Sequence, residues 1–546
     1  MQSARSLIIG ASLGTLIGLG STPNAEAKQS ADDQSAKEMA QELKALRQQV
    51  DSLQHRLDAQ ASEAQQTKAQ ADSAAAQAAS AKADAAAIPA QLQAQVQTAV
   101  DAAKPKTDKI HYKGVTVTLG GFLAAESVYR SRNTESDIGS SYSAIPYNNN
   151  SLGQTSELRF TARQSRFTAL VQGDVSPDTH LGFYSEVDFL GAAQTANSNE
   201  SNSFTPRIRQ MFGSVDWDGP GLHFLAGQAW SLVTLTSKGI TPRSEVLPPV
   251  IDAQYVPGFN WARQPQIRLT KDFDNKVWAA VSLENPQTTF YTGANALPST
   301  VHLNYNAPAG SLFNSANTMS LNRIPDVVAK VAADPSFADR SVHLEAYGLY
   351  RSFYERLNYS NQSWSGGGFG AGIIVPIVPK FLDFQLSGLG GKGIGRYGSG
   401  QLADVTFDPA GNIRPISEIQ AMAGLTLRPT PKLDIYLFAG EGKDSAQPYY
   451  LTTGGGAVVG YGYGNPLYSN DGCVSETAKG ACVGNTRMIL QGTTGFWYRP
   501  YVGNFGKIQW GLQYSHTERK AFAGAGGVAP IGTDNMVFAS FRYYPF

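Results

Sequence analysis

The chain has 546 residues with 44 basic and 44 acidic side chains, so no net charge draws it to nucleic acid or another polyanion. Charged residues make up only 16%, against 55 Gly, 24 Tyr and 25 Phe, a composition that suits strands whose two faces differ. No stretch beyond the first twenty residues is apolar enough for a membrane helix, which leaves membrane barrels open, because their alternating strands average to ordinary hydropathy.

The first segment reads as an export signal over residues 1–27. Arg5 supplies the positive region, Leu7 to Leu19 the apolar core, and Ala25-Glu26-Ala27 the cleavage site. Residues 28–108 then carry a heptad. Met39, Leu43, Leu46, Val50, Leu53 and Leu57 alternate spacings of four and three, the a/d seam of a coiled coil. The register continues through Ala64, Thr67, Ala71, Ala74, Ala78, Ala81 and Ala85 until Pro89 interrupts it. As one helix, residues 36–88 would extend on the order of 80 Å, a periplasmic stalk for oligomerisation. An Ala/Gln-rich disordered spacer is the competing reading for residues 60–87. Lys104-Pro105-Lys106 reads as a linker.

From residue 109 the period changes to two. Val115, Val117 and Leu119 alternate with Thr116 and Thr118, and Ala421, Ala423, Leu425 and Leu427 alternate with Gln420, Met422, Gly424 and Thr426. Seven tight turns rich in Pro, Gly, Asn and Asp are expected: Ser176 to Asp178, Asp218 to Gly221, Asp272 to Asn275, Asp334 to Arg340, Pro376 to Lys380, Pro429 to Pro431, and Val502 to Asn504. Eight longer connections fall at about 131–156, 191–206, 231–263, 286–322, 356–364, 392–414, 442–485 and 519–532. Fifteen connections predict sixteen antiparallel strands, a barrel over residues 109–546 wide enough for an aqueous channel. An even count also returns the aromatic terminal strand, ending on Phe546, to the side on which the chain enters. The register of that last strand stays open, since Arg542 and Pro545 disturb its alternation. Cys473 and Cys482 are expected to form a local disulfide in an oxidising compartment. Without a nearby histidine they cannot complete a zinc site.

Charge distribution is where selectivity would reside. Of the 44 residues of each sign, residues 1–27 hold one apiece and residues 28–108 hold nine basic and eleven acidic, leaving the barrel 34 and 32. The second, fourth and sixth strands nevertheless concentrate Arg159, Arg163, Arg166, Arg207, Arg209 and Arg268, with Arg263 just before the last. Arg207 and Arg209 share a face by spacing. Arg268 is expected inward beside Gln266 and Thr270, because an arginine facing lipid near the midplane costs roughly 2 to 4 kcal/mol. Arg163 and Arg166 have opposite parity and require a bulge, a rim position or a shifted boundary. The third long connection, with Lys238 and Arg243 and stiffened by Pro242, Pro248, Pro249 and Pro257, is the candidate constriction, its cations facing the wall arginines. Glu245 and Asp252 in the same segment argue against an all-basic eyelet, and a weakly selective pore with balanced lumen charges is the competing reading. Trp217, Trp278, Trp497, Tyr498, Tyr543 and Tyr544 read as an interfacial girdle, and Trp230 and Trp261 as flanking the third loop.

Other motifs carry less. Gly393-Ile394-Gly395-Arg396-Tyr397-Gly398 matches a dinucleotide-binding pattern but has no helix after it. The seven histidines have no metal spacing, and no Ser/His constellation suggests an enzyme. No cofactor is expected.

An exported chain with a periplasmic heptad, Gly120-Gly121-Phe122 on its first strand, Ser165-Arg166-Phe167 on its second and a Phe541-Arg542-Tyr543-Tyr544-Pro545-Phe546 ending resembles the DcaP-like porins of Gram-negative bacteria. The resemblance implies a homotrimer of sixteen-stranded outer-membrane barrels, an N-terminal periplasmic coiled coil, and passive uptake of small anionic solutes such as dicarboxylates. Two alternatives stand beside it. A phosphate-selective porin would need an inward ladder of basic residues reaching the periplasm. A structural protein would use the barrel as an anchor and the coiled coil as a tether to peptidoglycan.

Overall fold

A computed structural model describes residues 109–191, 205–290, 298, 322–337, 340–357 and 359–546, together with Thr67, Ser73, Ala74 and Gln77, each of which is helical. The chain divides into two compact units, Met1–Lys106 and Thr107–Phe546. The expected signal segment and the heptad seam lie outside the described residues.

The second unit is a closed antiparallel barrel of sixteen strands. They are β1 (Val115–Arg130), β2 (Glu157–Thr161 continued by Arg166–Ser176), β3 (Thr179–Asp188), β4 (Arg207–Trp217), β5 (Leu222–Trp230), β6 (Arg263–Phe273), β7 (Val277–Glu284) and β8 (Asp326–Ala333). The other half comprises β9 (His343–Leu357), β10 (Ser360–Val378), β11 (Leu382–Lys392), β12 (Ser417–Thr430), β13 (Leu433–Asp444), β14 (Thr486–Gly503), β15 (Gly506–Ala521) and β16 (Ile531–Tyr544). Each strand pairs with the next, and the ring closes where Leu123–Arg130 of β1 meets Met536–Tyr543 of β16. The lower part of β1 pairs instead with the short strand Lys109–Tyr112, which folds back on Val115–Thr118.

Alternation of side chains across the pleat separates an apolar outside from a polar inside. On β6, Ile267 and Leu269 are 53% and 47% exposed on the outer face, whereas Gln266, Arg268 and Thr270 are buried within. On β16, Val537 and Phe541 face outward while Phe538, Ser540 and the Arg542 guanidinium face inward. That settles the register of the last strand: Phe541 and Tyr543 share the outer face.

Connections fall at all seven expected places at one end of the barrel, between β2 and β3, β4 and β5, and so on to β14 and β15, six of them tight and the one between β8 and β9 longer, with Ser336–Phe337 paired to Arg340–Ser341. At the other end one expectation fails. The proposed long connection 356–364 is a two-residue link between Leu357 and Ser360, and β9 and β10 pair up to it. The Ser/Gly-rich run of β10 imitates a loop but is strand. Trp364 packs inward near Phe353, and the bare backbone of Gly370 receives the Tyr347 ring, whose hydroxyl would sit 2.3 Å from a Cβ there. Strand β2 resolves its parity conflict by an interruption. Ser165 N donates to Ala162 O (3.0 Å), a turn that lets Arg163 and Arg166 both reach the interior side.

The disulfide Cys473–Cys482 is formed, with a Cα–Cα distance of 4.8 Å, within the connection 445–485. It lies away from the wall pairing, so Cys473→Ser with Cys482→Ser should leave heat-modifiable migration of the folded barrel on gels unchanged. The same variant should lose about 2 to 3 kcal/mol of local loop stability and become cleavable by trypsin at exposed Lys479.

Candidate functional site

The third long connection, residues 231–262, enters the barrel rather than covering its mouth. Its first arm runs down the inner wall. Leu232, Val233 and Ile240 pack with Trp278, Val328, Ala332 and Tyr347. The Lys330 ammonium donates to Thr234 O (2.8 Å) and pairs with Glu345 (2.6 Å). At the bottom, Gly239 N donates to Asp334 Oδ2 (2.9 Å), beside the connection after β8.

The second arm crosses the lumen. Val250, Ile251, Tyr255, Val256 and Phe259 occupy the centre of an apolar cluster closed by Val128, Met422, Tyr436, Phe438, Ile489, Trp497 and Phe538 from the far wall. Polar ties fix it there: Trp497 Nε1 donates to Pro249 O (2.7 Å), Ile251 N to Gln513 Oε1 (2.5 Å), and Gln164 Nε2 to Ile251 O (2.6 Å). Asp252 accepts from Ser140 N (3.0 Å) and Gln254 N (2.8 Å), joining this arm to the first long connection. Burial is the main force raising the Asp252 carboxyl above the usual range.

Between the loop and the β2–β5 wall remains a cavity of about 290 Å³, lined by Tyr184, Phe212, His180, His223, Arg243 and Trp278 among others. At its lower mouth the histidines bridge acids. His180 lies 2.6 Å from Asp174 and 3.2 Å from Asp218, and His223 lies 2.7 Å from Asp216 and 3.0 Å from Asp272.

Above the cavity the arginines gather. Arg166 pairs with Glu186 (3.2 Å), Arg207 with Asp188 (2.8 Å), and Arg209 with Glu186 and with Asp188 (3.0 Å for the latter), while Arg209 Nη2 also donates to Tyr255 Oη (3.2 Å). A register shift opposite Glu186 and Val187 keeps Arg207 and Arg209 on the inner face. Arg263 sits over the rings of Trp230 (4.8 Å) and Trp261 (5.9 Å), and Arg243 over Tyr184 (5.6 Å). Among the described residues neither has a carboxylate within 4.0 Å. Three arginines thus share two carboxylates, and two more cations stand near them unneutralised.

The remaining candidates are dispersed. Arg159, with a side chain 47% exposed, pairs with Glu157 (3.4 Å) near the rim. Arg163 pairs with Asp137 (2.8 Å) of the first long connection. Arg268 is bonded to Gln266 and to Trp230 O beneath the first arm. Lys238 is exposed beside Gly239, at the foot of that arm rather than opposite the wall arginines. The descent of the first arm to Asp334 carries it there, and Arg243 alone of the loop's two cations stands beside the wall cluster.

Three girdle assignments are corrected: Tyr544 faces inward with Ser540 and Arg542, its hydroxyl accepting from Gln509 Nε2 (3.0 Å), and two tryptophans do the same. Trp278 and Trp497 are 1% and 4% exposed, both inside the lumen against the third loop. Outward Val277 and Val281 on β7, and Tyr498 on β14, show the parity that puts them there. The same parity would have identified Lys330, Arg351 and Arg542, interior cations missed from sequence, each matched to Glu345, to Asp326 and Asp404, or to Glu126.

No family model matches the chain, and no curated protein matches it by sequence. Solved structures do. The outer membrane channel DcaP of Acinetobacter baumannii aligns at a TM-score of 0.54 and 18% identity over 80% of this chain and 99% of that one. An anion-selective porin from Comamonas acidovorans aligns at 0.41 and 13% over 79% and 99%, and Salmonella typhi OmpF at 0.44 and 9% over 80% and 99%.

Gly258 is where the crossing arm touches the far wall. Its φ is +84°, and a Cβ would lie 2.1 Å from Ala421 O and 2.5 Å from Glu441 O. Gly258→Val should therefore lift the arm from β12 and β13, and single-channel conductance in planar bilayers should rise by about a factor of two. The chain has the fold of an outer-membrane β-barrel channel, as DcaP does.

Proposed function

We propose that the protein is a DcaP-like outer-membrane porin that passes small anionic solutes, dicarboxylates among them, by diffusion through the passage beside the third loop. In this reading the tight-turn end faces the periplasm, the long connections face outward, and three barrels assemble through the heptad segment. The observation that carries anion preference is the excess of guanidinium at the constriction: Arg166, Arg207 and Arg209 around Glu186 and Asp188, with Arg243 and Arg263 free of carboxylates among the described residues. Planar guanidinium groups match carboxylate oxygens two at a time. The phosphate-selective alternative finds less support, since Lys330, Arg351 and Arg542 each face a carboxylate. The same exit carries Asp174, Asp216, Asp218 and Asp272.

Reversal potentials across a salt gradient test the reading. Wild type should be anion-selective, and cation selectivity would contradict the proposal. Arg243→Ala, which breaks no ion pair, should lower the anion-to-cation permeability ratio by about a factor of two. Acidification should act in the opposite direction. Because burial raises the Asp252 carboxyl, it takes up its proton above the pH of an ordinary aspartate, about 4, while the arginines stay charged. One negative charge leaves the loop, and anion preference should increase as pH falls through the range in which that carboxyl takes up its proton.

Deleting residues 28–108 tests the stalk. Loss of trimers in detergent, by light scattering, is the expected result. Trimers that persist while association with peptidoglycan is lost would favour the tether.

A further inference from the structure

At the long-connection ends of β12 and β13, Glu418 and Asp444 are direct partners across the ladder. Both point into the barrel and are 3% and 1% exposed. Gln420, 1% exposed on the same face, donates its Nε2 to Glu418 Oε1 (2.8 Å) and to Ile394 O (3.1 Å). Four buried oxygens in this group receive no hydrogen bond: Glu418 Oε2, Gln420 Oε1, and both carboxylate oxygens of Asp444. Arg351, whose charge bears on Glu418, is committed elsewhere, to Asp326 (3.1 Å) and Asp404 (2.7 Å). Gly442, opposite Gln420 in the ladder, puts no side chain of its own over the group, where a Cβ would meet Leu402 Cδ1 at 3.4 Å and Glu418 Oε1 at 3.9 Å.

Two buried carboxylates facing each other with one amide donor between them are strongly unfavourable as anions unless protons or a cation neutralise them. A single shared proton cancels one charge, and one proton on each carboxyl cancels both without fixing the four oxygens around a common point. A divalent cation satisfies all four and cancels both. Oxygen-only donors, with an aspartate free to bind through both atoms, suit a hard ion that accepts six to eight ligands rather than a nitrogen- or sulfur-seeking metal. We propose that Glu418, Gln420 and Asp444 form a calcium-type divalent-cation site at the long-connection end of the lumen, with lumen water completing the coordination shell. The inference is independent of the anion-pore reading, because it rests on residues of the opposite wall.

Calorimetric titration of the full mature chain in detergent with calcium chloride tests it. Wild type should bind one Ca2+ per chain with a dissociation constant of about 0.1 to 1 mM, as weakly charged oxygen sites do. Asp444→Asn should weaken binding at least about tenfold, and Gln420→Glu, which adds a third carboxylate, should tighten it about tenfold. Absence of saturable binding in wild type up to about 10 mM, or unchanged affinity in folded Asp444→Asn, overturns the site. So does stabilisation by acid with none by calcium, the signature of a shared proton. If Asp444→Asn fails to fold, an affinity unchanged in Gln420→Glu overturns it equally.

Discussion

The third long connection holds its place because burial and hydrogen bonding act together on a segment that lies inside a barrel. Five of its side chains, Val250, Ile251, Tyr255, Val256 and Phe259, leave water against the far wall, at roughly 1.5 to 3 kcal/mol for each large apolar group before chain entropy is set against it. Burial of that kind has no direction by itself. Direction comes from the polar ties, Trp497 to Pro249, Gln513 to Ile251 and Gln164 to Ile251, which allow one placement of the backbone. Every other functional property follows from that placement. It decides that the open passage lies along β2 to β5, and that Tyr255 meets Arg209.

The electrostatics of the passage are those of shared partners. Glu186 and Asp188 hold three guanidinium groups in fixed positions, and the cluster keeps a positive excess while leaving no isolated buried acid. Four other interior cations are matched closely to acids: Arg130 with Glu157, Lys330 with Glu345, Arg351 with Asp326 and Asp404, Arg542 with Glu126. A near-neutral chain can thus carry a locally positive constriction. Position in the lumen, not net charge, sets the field a solute meets.

Strand number was legible because tight turns announce themselves: Pro177-Asp178, Asp218 to Gly221 and Pro431 leave the backbone few alternatives. Long connections do so less well. The run Ser363-Trp364-Ser365-Gly366-Gly367-Gly368 has loop composition but strand geometry, because Gly366 accommodates the Phe353 ring of β9 while Gly367 and Gly368 lie against the backbone of Leu349 and Gly390. Arg268 could be placed inward from neighbours of fixed parity, and Arg207 and Arg209 on one face by their spacing. Lys238 could not, since the depth to which a loop descends depends on its contact with Asp334, which no local pattern encodes. Trp278 and Trp497 show the same boundary: tryptophan near a strand end suggests an interface, and only parity with Val277 or Tyr498 reveals the lumen.

In the proposed channel the third loop rests across the lumen during conduction. A Cβ at Gly139 would lie 3.5 Å from the Cβ of Ala253, within the span of a disulfide, about 3.5 to 4.5 Å. Gly139→Cys with Ala253→Cys therefore ties the crossing arm to the first long connection without moving either. Single-channel conductance of this variant, compared between its oxidised and reduced forms, is the direct measurement. The cross-link should form in full yield and leave conductance unchanged. A fall in conductance on oxidation, or failure of the two thiols to join, would contradict that position of the loop.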